Sequence, residues 1–353
     1  MTQTIPAGIN YEGVSRFFGE HVPGGDVPLE FDFISGGRSN LTYLVHSGDT
    51  KWVLRRPPLG HVLPTAHDMA REYKVLAGVA KAEFPAPVPI ALCEDSSVND
   101  YPFYVMDYRE GEIIVDRIPK GYATQPEDRR AMSVVLIDTL AKLHAIDYNA
   151  VGLGDFGRPE GYLERQVRRW SEQWERSETR PLPEIHEVIR RLNNSIPAHS
   201  DSTIVHGDYR LGNMMLAFDD PGRVTAVLDW EMSTLGDPLT DLGYTLLYWT
   251  EPNDPPESIA GSLVTQQEGF MTRDELIAEY SRRSGRSVEF VDFYLVLAAY
   301  KLAVIVEGIW ARHLKGQTVG EGYDNMGERA GHLVRRALAV ADASSDPRLR
   351  GMA

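Results

Sequence analysis

The sequence predicts an α+β fold in two parts, a small strand-rich part with one main helix and a larger, mostly helical part. Strand-length apolar runs separated by turn residues dominate residues 1–107. From about residue 109 onward, apolar residues recur at helical spacing. The 353 residues are enough to build two separate hydrophobic cores. We therefore predict one lobe over residues 1–107 and a second over residues 108–353.

The small part contains a short amphipathic helix, five strands and a longer helix. The longer helix follows Pro64, with Thr65 as its expected N-cap and an apolar face between Met69 and Ala80. The strands are predicted to form a five-stranded antiparallel sheet. The short helix and the strands are Tyr11–His21, then Phe31–Ile34, Leu41–His46, Lys51–Arg56, Val88–Cys93 and Phe103–Met106.

The large part is predicted to be helical because its apolar residues follow a period of 3.6. One helix begins with a capping box formed by Thr272 and Glu275. His144, in the first helix, is expected to be a packed core residue. The predicted helices are Ala131–Asp147, Asp237–Tyr248, Thr272–Ser284, Phe293–His313 and Met326–Ala343.

Composition limits the class of protein. The chain is 42% hydrophobic and 25% charged, which is ordinary for a soluble globular protein. A formal net charge of -15 argues against a nucleic-acid partner, whose phosphates require clustered Lys and Arg. Cys93 is the only cysteine, so an intramolecular disulfide and a Cys-based zinc site are excluded and a reducing compartment is favoured.

We expect a cytoplasmic protein without a membrane partner. The N-terminal residues lack the basic and apolar segments of a signal peptide. The most apolar stretch, Phe293–Trp310, is interrupted by Lys301 and Glu307 and is therefore expected to fall short of a membrane span.

The stretch Thr203–Asp241 contains the residues that indicate a chemical function. Two apolar runs, Met214–Phe218 and Val224–Leu228, flank the turn-forming residues Asp219–Arg223 and predict a β-hairpin. Because the two runs have equal lengths, Asn213 before the first and Asp229 after the second should lie at the same end of the hairpin. A carboxylate beside an amide oxygen suits Mg²⁺ that also binds substrate phosphates.

Asp208 lies five residues before Asn213, on the loop that follows the short strand Thr203–Val205. The spacing H-x-D-x-x-x-x-N, followed by an Asp at the end of a strand, is the arrangement of the protein-kinase catalytic loop and metal aspartate. With HGD at His206–Asp208 and DWE at Asp229–Glu231, the chain resembles the aminoglycoside phosphotransferase and choline kinase family. These polar residues would otherwise only satisfy turns, an alternative that three of them at this spacing disfavour.

The resemblance implies a protein-kinase-like bilobal fold, with an N-terminal nucleotide-binding lobe and a C-terminal catalytic and substrate-binding lobe. It implies ATP or GTP and Mg²⁺ as cofactors, with Asp208 orienting and deprotonating the acceptor hydroxyl. Asn213 and Asp229 would hold Mg²⁺, while His206 and Asp241 would brace the catalytic loop. The adenine would bind the backbone of Met106–Tyr108, so Met106 and Tyr108 are nucleotide-binding candidates.

The loop Ser35–Asn40 is small and polar, and its backbone is able to approach phosphate oxygens closely. Ser35, Gly36, Gly37 and Asn40 are therefore nucleotide-binding candidates, although a Gly-Gly hairpin turn is common in other settings.

The sequence lacks the lysine that a protein kinase carries on its third strand. Strand alternation makes Arg55 the best counterpart, with Arg56 as an alternative, because Arg binds phosphate through two donors. Glu72 lies at the border of the apolar face of the next helix, where it is placed to pair with Arg55. Two solvated surface arginines are the alternative interpretation.

The resemblance therefore predicts transfer of a phosphoryl group to a small-molecule hydroxyl. RRPP at Arg55–Pro58 and HGDYRLGNMML at His206–Leu216 look most like phosphotransferase-type domains attached to acyl-CoA dehydrogenases, which favours a hydroxylated acyl or hydroxy acid acceptor. An aminoglycoside or other cationic acceptor stays open, since acidic residues exceed basic ones over Glu231–Phe290, whereas Arg165, Arg168 and Arg169 would suit an anion. A nucleotide-binding pseudokinase or regulatory module also stays open, as does a homodimer.

Overall fold

The computed structural model describes residues 5–34, 40–59, 68–198, 200–256, 260–318 and 322–352. The chain divides into two compact units. The first unit contains Met1–Gly111 together with two later segments, Tyr148–Phe156 and Thr225–Ser233. The second contains Glu112–Asp147, Gly157–Val224 and Thr234–Ala353. The division therefore differs from a single cut after residue 107 in assigning both later segments to the first unit.

The first unit contains the predicted five-stranded antiparallel sheet, whose spatial order is β1-β2-β3-β5-β4. Arg55 lies on the third strand, opposite Thr42 on one side and Tyr104 on the other. The strands are β1 (Glu30–Ile34), β2 (Leu41–Ser47), β3 (Thr50–Arg56), β4 (Pro89–Cys93) and β5 (Phe103–Asp107).

Helices α1 (Tyr11–His21), α2 (Met69–Lys81) and the short α3 (Ser96–Asn99) accompany this sheet. α1 buries Phe17 and Phe18 against the aromatic side chains of the sheet. The predicted cap of α2 was wrong. Asp68 caps the helix by accepting a hydrogen bond from Arg71 N at 2.9 Å, whereas Thr65 lies outside the described residues.

The second unit is mainly helical, as predicted. Thr272 and Glu275 form the predicted capping box, with Thr272 N donating to Glu275 Oε2 at 2.8 Å. α4 begins earlier than predicted because Pro126 occupies its first turn and Asp128 accepts from Gln125 N. The helices are α4 (Pro126–Ala145), α5 (Tyr162–Ser177), α6 (Pro183–Asn194), α7 (Leu239–Tyr248), α8 (Arg273–Ser284), α9 (Val291–Leu314) and α10 (Met326–Ala343).

Helix α9 is the longest helix among these, and it packs against α5, α6, α7 and α10. By length and composition it is able to cross a membrane, so the expectation that its charged residues exclude this was wrong. About 72% of its most apolar window is nevertheless buried inside the structure, as in a core helix. Of its charged residues, Glu307 is fully buried and Lys301 is partly buried, and both positions need a physical explanation.

Short strands lie on either side of the catalytic-loop sequence. β7 (Thr203–Val205) pairs antiparallel with β10 (Thr234–Gly236), and β6 (Glu112–Ile113) pairs with β8 (Met214–Ala217). β9 (Asp220–Val227) follows β8 after a turn at residues 218–219, so the predicted turn over Asp219–Arg223 was wrong. β8 has four residues and β9 has eight, and equal strand length therefore does not place Asn213 beside Asp229. Their joint role stays a prediction.

Candidate active site

The predicted site residues occur in both units. Ser35, Gly36 and Gly37 lie outside the described residues. The second unit contains Asp208, Asn213, His206 and Asp241, and the first contains Arg55, Glu72, Asn40, Met106, Tyr108 and Asp229.

Asp208 is partly buried on the loop between β7 and a short 3₁₀ turn, Leu211–Asn213. That turn brings the side chain of Asn213 back toward the loop. The amide nitrogen of Asn213 donates to Asp208 O at 2.8 Å and to Asp208 Oδ2 at 2.7 Å. Both bonds use the nitrogen, so the amide oxygen is the Asn213 atom that would bind a cation.

Asp241, at the start of α7, supports the catalytic loop through hydrogen bonds to its backbone. Its fully buried carboxylate accepts from His206 N at 2.7 Å and from Gly207 N at 2.8 Å. The ring nitrogen His206 Nδ1 accepts from Asp208 N at 3.3 Å. Burial would raise the pKa of Asp241, but the neighbouring His144 and these backbone donors lower it overall. An ionised carboxylate therefore bonds two consecutive peptide groups just before Asp208.

His144 is a core residue as predicted, and it also belongs to this support. Its Nε2 lies 3.3 Å from Asp241 Oδ2, and its Nδ1 lies 2.7 Å from the hydroxyl of Tyr280. Burial lowers the pKa of His144, which favours the neutral ring. In the tautomer consistent with these contacts, Nε2–H donates to Asp241 and Nδ1 accepts from Tyr280.

Arg210 is the first of two cations near Asp208. Its Nε lies 3.3 Å from Asp208 Oδ1, and its guanidinium lies over the ring of Tyr248. Burial would lower the pKa of Arg210, but Asp208 and the nearby tyrosines raise it overall. Arg210 also lines a pocket of about 320 Å³ in the second unit, together with Asp116, Tyr248 and Arg329.

Lys301 is the second cation, and sequence reasoning missed it. It lies in the middle of α9, and its Nζ donates to Gly207 O at 2.9 Å. Its ammonium also lies 4.6 Å from the ring centre of Tyr244. The available signal was a lysine inside a long apolar run, which the sequence interpretation treated only as an interruption of that run.

Arg55 lies at the centre of a charged cluster in the first unit. Its Nε is 3.2 Å from Glu72 Oε1, so the predicted ion pair is present in the structure. Its Nη2 is 2.7 Å from Asp229 Oδ1 and 3.8 Å from Glu231 Oε2. Burial would lower the pKa of Arg55, but Glu72 and Asp229 raise it well above its ordinary value. Three carboxylates thus share one partly buried guanidinium.

Arg56 has a different environment from Arg55. It is fully buried, with Nε donating to Pro57 O at 3.2 Å and Nη1 donating to Gly8 O. Its guanidinium lies over the ring of Tyr101. Arg56 therefore stabilises the packing of the N-terminal segment, whereas Arg55 lies among the carboxylates.

The cluster has more negative than positive charge. Burial raises the pKa of Glu72 to about 7, with Asp229 and Glu231 adding to the effect and Arg55 opposing it. Asn40, predicted to bind nucleotide, donates its amide to Glu72 Oε2 at 3.3 Å and to Glu231 Oε2 at 3.1 Å. Glu231 was not predicted as a site residue, although it follows Asp229 by two positions in the DWE motif.

Asp229 has a left-handed backbone conformation, with φ of 67°, at the start of the 3₁₀ turn Trp230–Met232. A non-glycine residue in this conformation is uncommon, and such residues concentrate at functional sites. Within the described part of the chain, no group of three or more His, Cys, Asp or Glu residues has a metal-site arrangement. The donor chemistry still fits Mg²⁺, because the cluster supplies carboxylate oxygens and excess negative charge.

Met106 and Tyr108 lie at the end of β5. Met106 is buried and pairs with Val53 of β3 and Pro89 of β4. Tyr108 follows the strand and lies beneath the ammonium of Lys51 at 5.0 Å. Their role toward adenine stays a prediction.

Comparison with known proteins gives the family context for both groups of residues. Residues 30–282 match the model of the phosphotransferase enzyme family. Acyl-CoA dehydrogenase family member 11 from Rattus norvegicus is 32% identical over 351 residues, which cover 96% of this chain and 45% of that protein. The chain thus spans less than half the length of this curated relative.

Solved structures share the fold. A provisionally assigned aminoglycoside phosphotransferase from Ralstonia eutropha JMP134 has a TM-score of 0.83 and 32% identity, covering 96% of this chain and 99% of that one. A thermostable mutant of the aminoglycoside phosphotransferase APH(4)-Ia, in ternary complex with ADP and hygromycin B, has a TM-score of 0.60 and 14% identity over 93% and 98% of the chains. The kinase-like α+β fold expected from the catalytic-loop motif is confirmed.

Proposed function

We propose that this chain, which belongs to the phosphotransferase enzyme family, is an ATP-dependent small-molecule kinase whose acceptor is the hydroxyl of a hydroxy acid or hydroxylated acyl compound. The single observation that carries the choice of acceptor is the positive charge around Asp208. Arg210 forms an ion pair with the Asp208 carboxylate, and Lys301 bonds the carbonyl of the preceding residue.

These charges favour an acceptor that is itself acidic or neutral. The pocket beside Arg210 also contains Arg329, and among the lining residues that the structure describes Asp116 is the one acidic side chain. A cationic acceptor entering this pocket would meet like charges, whose juxtaposition is unfavourable in a partly desolvated site. The similarity to a protein named as an acyl-CoA dehydrogenase family member agrees with an acyl-type acceptor.

The proposed mechanism assigns a limited role to each side chain. Asp208 accepts the proton of the acceptor hydroxyl, and its orientation depends on Asn213 and on the loop that Asp241 supports. Arg55 neutralises nucleotide phosphate charge, which its two-donor guanidinium suits. Asn213 and Asp229 are the proposed Mg²⁺ ligands, and the ion would supply charge neutralisation at the phosphates. Most of the rate enhancement then comes from positioning and electrostatics.

Two alternatives make different predictions about acceptors. A kinase for cationic acceptors would act on aminoglycosides or choline, as named enzymes of related fold do. A pseudokinase would bind nucleotide and phosphorylate nothing. Asp208 and its ordered hydrogen bonds weigh against the pseudokinase, since nucleotide binding alone requires no positioned base.

The test is a screen for acceptor-dependent ADP release with Mg·ATP. Each hydroxy acid is paired with the diol in which the carboxylate becomes CH₂OH, and hydroxyacyl thioesters, choline and aminoglycosides complete the panel. We expect ADP release with hydroxy acids or hydroxyacyl thioesters, and loss of that release in Asp208→Asn. Turnover of only cationic acceptors would overturn the acceptor assignment. Nucleotide binding without turnover of any acceptor would support the pseudokinase.

A further inference from the structure

Lys301 on helix α9 is a second support of the catalytic loop, and no sequence motif indicates it. Its flanking residues Tyr300, Leu302 and Ala303 are buried apolar core residues. Lys301 itself is partly buried, and removing an ammonium from water in this way is costly unless it gains strong hydrogen bonds or nearby opposite charge. The position of Lys301 thus points to a role other than packing.

Lys301 bonds one particular peptide group. The carbonyl of Gly207 belongs to the peptide that joins Gly207 to Asp208, and Lys301 Nζ donates to it at 2.9 Å. The N–H of the same peptide donates to His206 Nδ1 at 3.3 Å. Gly207 has a φ of 87°, a conformation that non-glycine residues rarely adopt, so this peptide needs restraint to keep one orientation.

The two supports of the loop have opposite charges and act on opposite backbone groups. Asp241 accepts from the N–H groups of His206 and Gly207, whereas Lys301 donates to the carbonyl that follows them. Charge-assisted hydrogen bonds of this kind are stronger than neutral ones. Together they leave little freedom for rotation of the backbone that carries Asp208.

Aromatic rings, a small cavity and several charged groups surround the Lys301 ammonium. It lies near the rings of Tyr244 and Trp170, at 4.6 and 5.9 Å, and lines a cavity of about 30 Å³, which is large enough for a water molecule. Burial lowers the pKa of Lys301, while the Asp208 and Asp241 carboxylates oppose that change and Arg169 adds to it. The ammonium thus lies near these two aromatic rings and donates its hydrogen bond to the loop.

We propose that Lys301 is a positioning residue for phosphoryl transfer, fixing the Gly207–Asp208 peptide so that the Asp208 carboxylate faces the acceptor hydroxyl. This inference rests on the proposed role of Asp208 as the base. Lys301 acts through the loop and does not contact the nucleotide. Its loss should therefore lower kcat and leave the KM for ATP unchanged.

The experiment compares Lys301→Met, which keeps the length of the side chain, with Lys301→Arg, which keeps its charge and donors. Lys315→Met is the matched control, because Lys315 is exposed at the end of the same helix. Hydrogen exchange of the peptide covering His206–Asp208 is measured in each purified full-length variant. Steady-state kinetics follow ADP release, with the acceptor found by the screen and with water alone.

We expect Lys301→Met to lower kcat by about 10- to 100-fold, the size of effect that follows small misplacement of a catalytic group. Exchange should become faster in the loop but remain unchanged in α5 and α10. Lys301→Arg should restore part of both, and Lys315→Met should match the wild type. Unchanged loop exchange and kcat in Lys301→Met would overturn the proposal, as would accelerated exchange throughout α9 and its neighbours.

Two further outcomes are decisive. If Lys301→Met does not fold, Lys301→Arg carries the test. A partly lowered kcat together with partly faster loop exchange would support the proposal, whereas a lower kcat with wild-type loop exchange, or wild-type values of both, would overturn it. If the wild type phosphorylates no acceptor, the proposed function fails separately, because loop exchange and ATP hydrolysis by water still report on Lys301.

Discussion

The surroundings of Arg55 and Asp208 are built in opposite ways. Arg55 is one cation among three carboxylates, those of Glu72, Asp229 and Glu231. Asp208 is one carboxylate approached by the amide of Asn213 and the guanidinium of Arg210, with Lys301 bonded to the preceding carbonyl. The first cluster has surplus negative charge, whereas in the second the Asp208 carboxylate has cations and an amide of the protein around it.

The difference indicates different tasks. A cluster with surplus carboxylates gains from binding an added cation, and its ion pairs are able to rearrange when phosphates and Mg²⁺ arrive. The catalytic loop is held largely through backbone groups, by Asp241 and Lys301, and those contacts do not depend on a ligand. The first cluster is thus suited to ligand binding, and the loop is suited to holding one geometry.

The largest effect should follow removal of the base. We expect Asp208→Asn to fold normally and to bind nucleotide, but to lose about 10² to 10⁴ in turnover, the usual range for a positioned general base. Steady-state ADP release and a nucleotide titration together check this. Full activity in Asp208→Asn would remove Asp208 from the mechanism.

The next largest effect concerns the surplus negative charge of the carboxylates around Arg55. We expect Asp229→Ala to remove the Mg²⁺-dependent part of ATP binding, because Asn213 alone supplies no charge to offset partial dehydration of the ion. Calorimetry with ATP, in the presence and absence of Mg²⁺, measures it. Glu231→Gln is the matched variant, with one carboxylate fewer in the same cluster. An unchanged affinity for Mg·ATP in Asp229→Ala would exclude Asp229 as a ligand.

Arg55 and Arg56 are adjacent in sequence, and we expect the first to affect ATP binding and the second to affect the stability of the fold. We expect Arg55→Ala to weaken ATP binding or turnover and Arg55→Lys to recover only part, since an ammonium lacks the two-donor fork. Arg56→Ala should leave ATP affinity unchanged and lower the melting temperature, because its buried guanidinium holds backbone carbonyls. Thermal unfolding with and without Mg·ATP checks both. Weaker ATP binding in Arg56→Ala alone would reverse the assignment.

A smaller effect should appear as coupling between Arg55 and Glu72, whose charged atoms lie 3.2 Å apart. A double-mutant cycle with Arg55→Ala and Glu72→Gln should show a coupling of about 0.5 to 3 kcal/mol in the free energy of unfolding. Lys74 and Asp155 form an exposed pair in the same unit and provide the control cycle. Equal coupling in both cycles would mean that burial adds nothing to the Arg55 pair.

Sequence predicted the features that depend on local order along the chain. The capping box at Thr272, the antiparallel sheet and the facing of Glu72 toward Arg55 all follow from short-range spacing. The spacing of His206, Asp208 and Asn213 likewise identified a loop whose contacts the structure contains.

Features that depend on packing between distant segments were not predictable in this way. Lys301 is 94 positions from the Gly207 carbonyl that it bonds, and periodicity alone shows only that it interrupts an apolar run. The turn before β9 was misplaced because Pro221 and Gly222 are strong turn formers, although here they lie within a strand. Tertiary pairing with β8 overrode that local preference.

The smallest expected effect is a pH dependence of stability from His144, the group behind Asp241. Burial lowers the pKa of His144 below its ordinary value, so the unfolded chain binds more protons than the folded one as the pH falls through about 6.5. The free energy of unfolding that this residue contributes is therefore complete above that pH and declines below it, by at most about 1.4 kcal/mol per pH unit. Denaturant unfolding of His144→Gln between about pH 5.5 and 7.5 should show a shallower decline than the wild type. His186→Gln, an exposed histidine on α6, should keep the wild-type slope. A steeper decline in His144→Gln would mean that the ring is charged in the folded protein and that Asp241 holds it as an imidazolium.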